Sequence, residues 1–140
     1  MEKITLKHVE YISHKLAIEI LSFNEPIPDF STRYPHKLES CIAAPFQYFG
    51  GKSLYTGLVG KAAILFYLMN KNHPFQNGNK RIAMTTLLVF LYMNKKWLNA
   101  DPMALYNFGM WVASSPAGLK KGTVQAVEDF IHQHLVDIDA

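Results

Sequence analysis

Residues 79–96, NKRIAMTTLLVFLYMNKK, are apolar on nearly every side from Ile82 to Met93, interrupted only by Thr85 and Thr86. A helix that is apolar all round has no face to give to water, so it belongs at the buried centre of a bundle. It stops short of the ~18 apolar residues a membrane span needs. A second helix is expected over 56–72, TGLVGKAAILFYLMNKN, ending where His73-Pro74 disfavours further helix. The two are joined by the polar turn HPFQNG, residues 73–78, which is expected to lie over the amino end of the second.

The remaining pattern surrounds this pair with shorter helices. Leu6, Val9, Ile12, Leu16 and Ile20 recur at helical spacing over 5–22, with Thr5 placed to cap the helix. Residues 23–35 hold three prolines and no period, which reads as a long surface loop, of a length that is often functional, before a short helix at 36–44. In PFQYFGGKSLY, residues 45–55, a Gly-Gly pair between aromatics suits a hairpin-like segment. Asp101-Pro102 opens a further helix, as an N-cap followed by proline at the first helical position. A last helix is expected over 123–138, with Val124, Val127, Ile131, Leu135 and Ile138 on one stripe. The expectation is an all-α fold of five or six helices with almost no strand, and a single domain over 1–140.

Composition sets the class. With 140 residues, 49% hydrophobic and 18% charged, the chain can bury a core, which excludes disordered and collagen-like readings. Its one cysteine, Cys41, permits no internal disulfide and suggests no zinc set. The charged start MEKITLKHVE has no apolar signal segment, so a soluble, cytoplasmic protein with no membrane partner is expected. Charge is unevenly spread. No acid lies between Glu39 and Asp101, while Lys52, Lys61, Lys71, Lys80, Arg81, Lys95 and Lys96 fall there, giving about +7 in the middle and −4 in the rest. Such a field concentrates anions, although scattered lysines are also the ordinary solvated tips of helices. Nucleic acid is not the expected partner, because these residues follow no single helix face.

The turn carries the chemistry. A tight turn feeding a helix start aims backbone N–H groups at one point, where anions bind. Lys80 and Arg81 in that first turn oppose the helix dipole, a cost that a negative ligand offsets. His73 can accept a proton near such a ligand, and Phe75 anchors the loop in the core. On spacing alone, a capped helix–loop–helix with a surface histidine explains the same residues. His8, His14 and His36 have no partner at telling spacing, and His132 and His134 diverge by roughly 200° of helical turn.

HPFQNGNKR, residues 73–81, resembles the Fic/Doc signature H-x-F-x-[D/E]-[G/A]-N-[K/G]-R at eight of its nine positions. The stretch from Leu38 through Phe75 and the following apolar helix resemble the death-on-curing (Doc) branch. The resemblance, over roughly residues 5–135, implies a helical domain that transfers part of ATP or another nucleoside triphosphate to a Ser, Thr or Tyr hydroxyl of a protein. It implies catalytic roles for His73 as general base and for Lys80 and Arg81. A phosphate cradle would comprise Gly78, Asn79, Lys80 and Arg81. Tyr48, Phe49, Gly50, Gly51, Lys52, Ser53, Leu54 and Tyr55 would form a flap aligning the target peptide.

Two positions depart from the pattern. Where the family carries the acid that holds Mg²⁺, this chain has Asn77, an uncharged ligand that leaves the metal mainly to the nucleotide. Adenylylating members resemble one another in a glycine before the motif arginine and a second arginine three residues after it, where this chain has Lys80 and Met84. The lysine resembles the Doc branch, which implies phosphoryl transfer, with a translation elongation factor as the type of target. The alternatives are AMP transfer, or a Fic/Doc-fold binding module left inactive by Asn77. No window resembles the family's self-inhibitory helix, which implies restraint by a separate antitoxin chain docking on the amino-terminal helix or the 23–35 loop.

Overall fold

The computed structural model describes residues 1–19 and 26–138. At its centre lie α4 (Gly57–Lys71) and α5 (Asn79–Met93), whose buried residues include Phe66, Met69, Ile82, Leu87 and Phe90. Around them pack α3 (Pro35–Ala43), α6 (Pro102–Ser114), α7 (Lys120–His134) and an amino-terminal rod made of α1 (Leu6–His8), a π-helical stretch Val9–Ser13 and α2 (His14–Glu19). Counting the rod as one, the described residues form six helices, the all-α bundle expected. None of these helices is long and apolar enough to cross a membrane.

Local signals set most of the ends. Thr5 caps α1, its Oγ1 accepting from His8 N–H while His8 Nδ1 accepts from Thr5 N–H. Asp101 accepts from Met103 N–H at the start of α6, with Pro102 in the first helical position. Asn72 closes α4 one residue before His73.

Three expectations are corrected. The π-helical stretch inserts an extra residue into a turn, so Ser13 is buried where Ile12 was expected, and Ile12 is 41% exposed. Residues 20–22 of the expected first helix lie outside the described residues, as do 23–25 of the loop. The central helix ends at Met93, not at 96: Asn94 caps it, Lys95 takes φ 64, and β3 (Lys96–Leu98) follows. The last helix ends at His134, and β4 (Leu135–Asp137) pairs antiparallel with β3 in the register Lys96↔Asp137, Trp97↔Val136, Leu98↔Leu135. Leu135 and Ile138 therefore leave the expected helical stripe, because a ladder between distant segments gives those residues backbone partners that local periodicity cannot reveal. The second ladder is the expected hairpin, β1 (Tyr48–Phe49) with β2 (Lys52–Ser53), turned by Gly50 and Gly51 at φ 60 and 77.

Candidate active site

His73 leaves the carboxyl end of α4 at φ 48, with its side chain exposed. Pro74 disfavours the right-handed helical region for the residue before it, and the positive φ turns the chain sharply out of the helix. From there the turn runs inward. Phe75, only 1% exposed, packs against the rings of His14 and Phe30, at 6.0 and 5.9 Å between centroids. Asn79, at the start of α5, grips the same residue twice: its Oδ1 accepts from Phe75 N–H and its Nδ2 donates to Phe75 O, both at 2.9 Å. This bidentate clamp fixes the loop between two buried groups.

Gly78 caps α5 at φ 72, and its carbonyl accepts the first helical bond from Ile82 N–H at 3.0 Å. Its own N–H donates to Asn77 Oδ1 at 2.9 Å. Of the expected cradle residues, Gly78 and Lys80 therefore sit at the helix end. Asn79 has its side-chain amide engaged with Phe75, leaving the backbone as its contribution. Arg81 is 5% exposed and donates from Nη2 to Ala17 O at 2.5 Å, tying α2 to α5. Lys80 is half-buried in the first turn of α5.

The turn fits Mg²⁺ poorly. Asn77 carries no charge, and its amide oxygen already accepts from the Gly78 N–H. Among the described residues, no three His, Cys, Asp or Glu side chains come together as a metal cluster. Cys41 is buried behind the turn, where loss of solvation pushes its thiol up to about 11, far from a thiolate nucleophile.

The hairpin enters the amino end of α4 and His73 leaves the other, so the helix between them is about 22 Å long. Phe46, just before the hairpin, packs edge-on against Phe90, near the far end of α5 from the turn. About seven extended residues would span the length of that helix.

Sequence reasoning missed the residues that support the turn from outside it. Pro26 and Ile27 lie against Gly78, Tyr34 N–H donates to Pro74 O at 2.8 Å, and His14 Nε2 lies 2.8 Å from Pro28 O. The prolines of the 23–35 loop were the available signal. His14 is a support of that loop, and His8 is part of a cap.

The fold and the motif meet in the comparisons with known proteins. The Fic/DOC family model matches residues 3–91, which covers the amino-terminal rod, the hairpin, the turn and nearly all of α5. Toxin Doc of Mycolicibacterium smegmatis is 36% identical over 64 residues, 46% of this chain and 49% of that protein, so the aligned stretch spans about half of the relative. No solved structure matches. With a family model matched over well more than half its length, the chain belongs to the Fic/DOC family.

Proposed function

We propose that the chain is a Doc-like, toxin-type transferase that moves the γ-phosphoryl group of ATP, or another nucleoside triphosphate, to a protein hydroxyl, with a translation elongation factor as the type of target. The observation that carries this reading is a turn clamped to the core at Phe75 while His73, two residues before, stands exposed at its entrance. In this reading His73 takes the proton of the target hydroxyl as its oxygen attacks the γ-phosphorus. The bond to the β–γ bridging oxygen breaks and the nucleoside diphosphate leaves. Backbone N–H groups at the α5 amino end and Lys80 hold the transferred charge. Arg81 ties α2 down through Ala17 O, a bond that engages one of the five guanidinium N–H donors, so the same side chain can support the site and act on phosphate. No step is assigned to a protein-held Mg²⁺, and any metal would arrive on the nucleotide.

Incubation with labelled ATP and a bacterial lysate tests this. A protein band carrying γ-label alone supports phosphoryl transfer, and a band carrying α-label would replace it with AMP transfer.

Asn77 favours a second reading, a nucleotide-binding module without turnover, because the metal-binding acid is missing and the amide serves Gly78. Asn77→Asp separates the two. For a working enzyme, the variant lowers the Mg²⁺ needed for transfer and raises the rate; for a module, it tightens metal–nucleotide binding without transfer.

A relative named as a toxin supports a separate antitoxin as partner. The groove of about 600 Å³ lined by Ile12, Leu16, Leu88, Val89, Tyr92 and Trp97, between the amino-terminal rod and α5, offers that partner an apolar surface. A cytoplasmic setting fits these partners.

A further inference from the structure

We propose that the cleft between α3 and the carboxyl end of α4 receives an acidic side chain of the protein target, close in sequence to the hydroxyl that is modified, with Lys37 as the residue that selects it. This deepens the proposed function and rests on it in taking His73 as the base.

The cleft, of about 450 Å³, is lined by His36, Lys37 and Ser40 from α3 and by Asn72 from α4. Every lining residue is polar, Lys37 brings a full positive charge, and Glu39, the one acid on α3, does not line it. Its place beside the base is built from two sides. Asn72 caps α4 and is joined directly to His73. Opposite it, Tyr34 N–H donates to Pro74 O at 2.8 Å, so the start of α3 is bonded to the residue that follows His73. Lys37 is drawn to the same corner, with Nζ 4.9 Å from the centre of the Tyr34 ring. Asn72 Nδ2 lies 3.9 Å from Sγ of the buried Cys41, which orients the amide, and a primary amide has a second N–H with which to meet a ligand.

Charge decides what fits. A target lysine or arginine entering the cleft would face the Lys37 ammonium at short range, whereas a carboxylate can accept from Lys37, Ser40 and Asn72 together. The amino end of α3 adds to the preference, since its first turn holds no acid and Tyr34 supplies no side-chain cap. The phosphate position at the start of α5 and this cleft lie on opposite sides of His73 in the chain, which leaves the cleft to the target. Because the cleft begins at the residue before the base, the acid it recognises falls within about four residues of the hydroxyl, the reach of ~13 Å of extended chain.

The test uses pools of peptides that carry a central Ser, Thr or Tyr with Asp, Ala or Lys fixed at each neighbouring position. In amide NMR spectra of the full chain without nucleotide, the Asp pools shift His36, Lys37, Ser40 and Asn72, the Lys pools do not, and added salt weakens the effect. In γ-label transfer from ATP to the same pools, wild type prefers Asp over Lys about tenfold at the position that reaches the cleft. Lys37→Gln levels that preference and Lys37→Glu reverses it, while melting temperature and ATP affinity stay near wild type, because Lys37 is exposed and outside the phosphate cradle. Asp pools that cause no shift, or Lys pools that cause the same shifts, overturn the proposal, as does transfer that ignores flanking charge. Loss of ATP affinity in Lys37→Gln gives the cleft to the nucleotide and also overturns it. Shifts with the Asp pools that vanish in Lys37→Glu, without γ-label transfer by wild type, leave the acid-binding cleft standing and remove the phosphoryl-transfer reading.

Discussion

The two ends of α4 are built from similar words and do opposite things. At one end, Phe49-Gly50-Gly51 turns a hairpin whose aromatic residues face water, Tyr48 at 72% and Phe49 at 80% exposed. At the other, Phe75 and Gly78 make a turn whose aromatic is sunk in the core and whose backbone is gripped by Asn79. Tethering decides the difference. Lys61 reaches the base of the hairpin through Ser53 Oγ and Tyr55 O, whereas the turn is held by α5, the amino-terminal rod and the 26–34 segment together. An exposed aromatic pair suits a surface that meets other molecules, while a turn fixed from several sides suits chemistry, which depends on atoms held in place.

The comparison breaks most sharply at His73. If the fixed turn is the catalytic end, His73→Ala lowers γ-label transfer by about 10²–10⁴ while the melting temperature stays near wild type, because the side chain is exposed. His73→Asn is a useful companion, since asparagine tolerates the positive φ better than most residues and supplies no base at neutral pH. Transfer by either variant at the wild-type rate would remove the turn from catalysis.

Asn79→Ala sharpens the claim of tethering. The variant strands the Phe75 N–H and C=O inside the protein, a loss of about 2–4 kcal/mol read from chemical denaturation. A change below 1 kcal/mol would mean that the turn holds its shape without the clamp.

Much of this asymmetry could be foreseen from local pattern, and its strongest contact could not. Helix starts at Thr5, Asp101 and Gly78 follow from side chains or φ preferences within a few residues of each start. The β3–β4 ladder joins residues about 40 apart, and Ile27 meets Gly78 from 51 positions away. No periodicity encodes such meetings. The direction of Arg81 was hidden for another reason: two cations at a helix start suggest an anion, yet a guanidinium can also turn back to a carbonyl of a neighbouring helix, as it does at Ala17. The family pattern allows glycine or alanine at position 78, and only the packed structure gives a reason why this chain carries glycine.

The glycine pairs of the two ends test that reason. Gly50→Ala and Gly78→Ala each put a Cβ on a residue with positive φ, at about 1–2 kcal/mol. At Gly50 nothing lies within 4 Å of the new atom, while at Gly78 it meets Ile27 Cδ1. Gly78→Ala is therefore the more destabilising by about 1 kcal/mol or more, and Ile27→Ala in the same molecule removes that excess. Equal effects at the two positions would show that Ile27 gives way freely.

The smallest expected change in stability belongs to the exposed hairpin, and it separates a structural role from a recognition role. Phe49 touches no ring within the described residues at stacking distance and stands largely in water, so Phe49→Ser shifts unfolding free energy by only about 0.5 kcal/mol or less. If the hairpin meets the protein target, the same variant raises the KM for that target and leaves kcat unchanged, because the contact is made equally in ground and transition states. A fall in kcat at constant KM would place the hairpin's influence on the chemistry itself. No change in either constant would leave the hairpin outside target recognition.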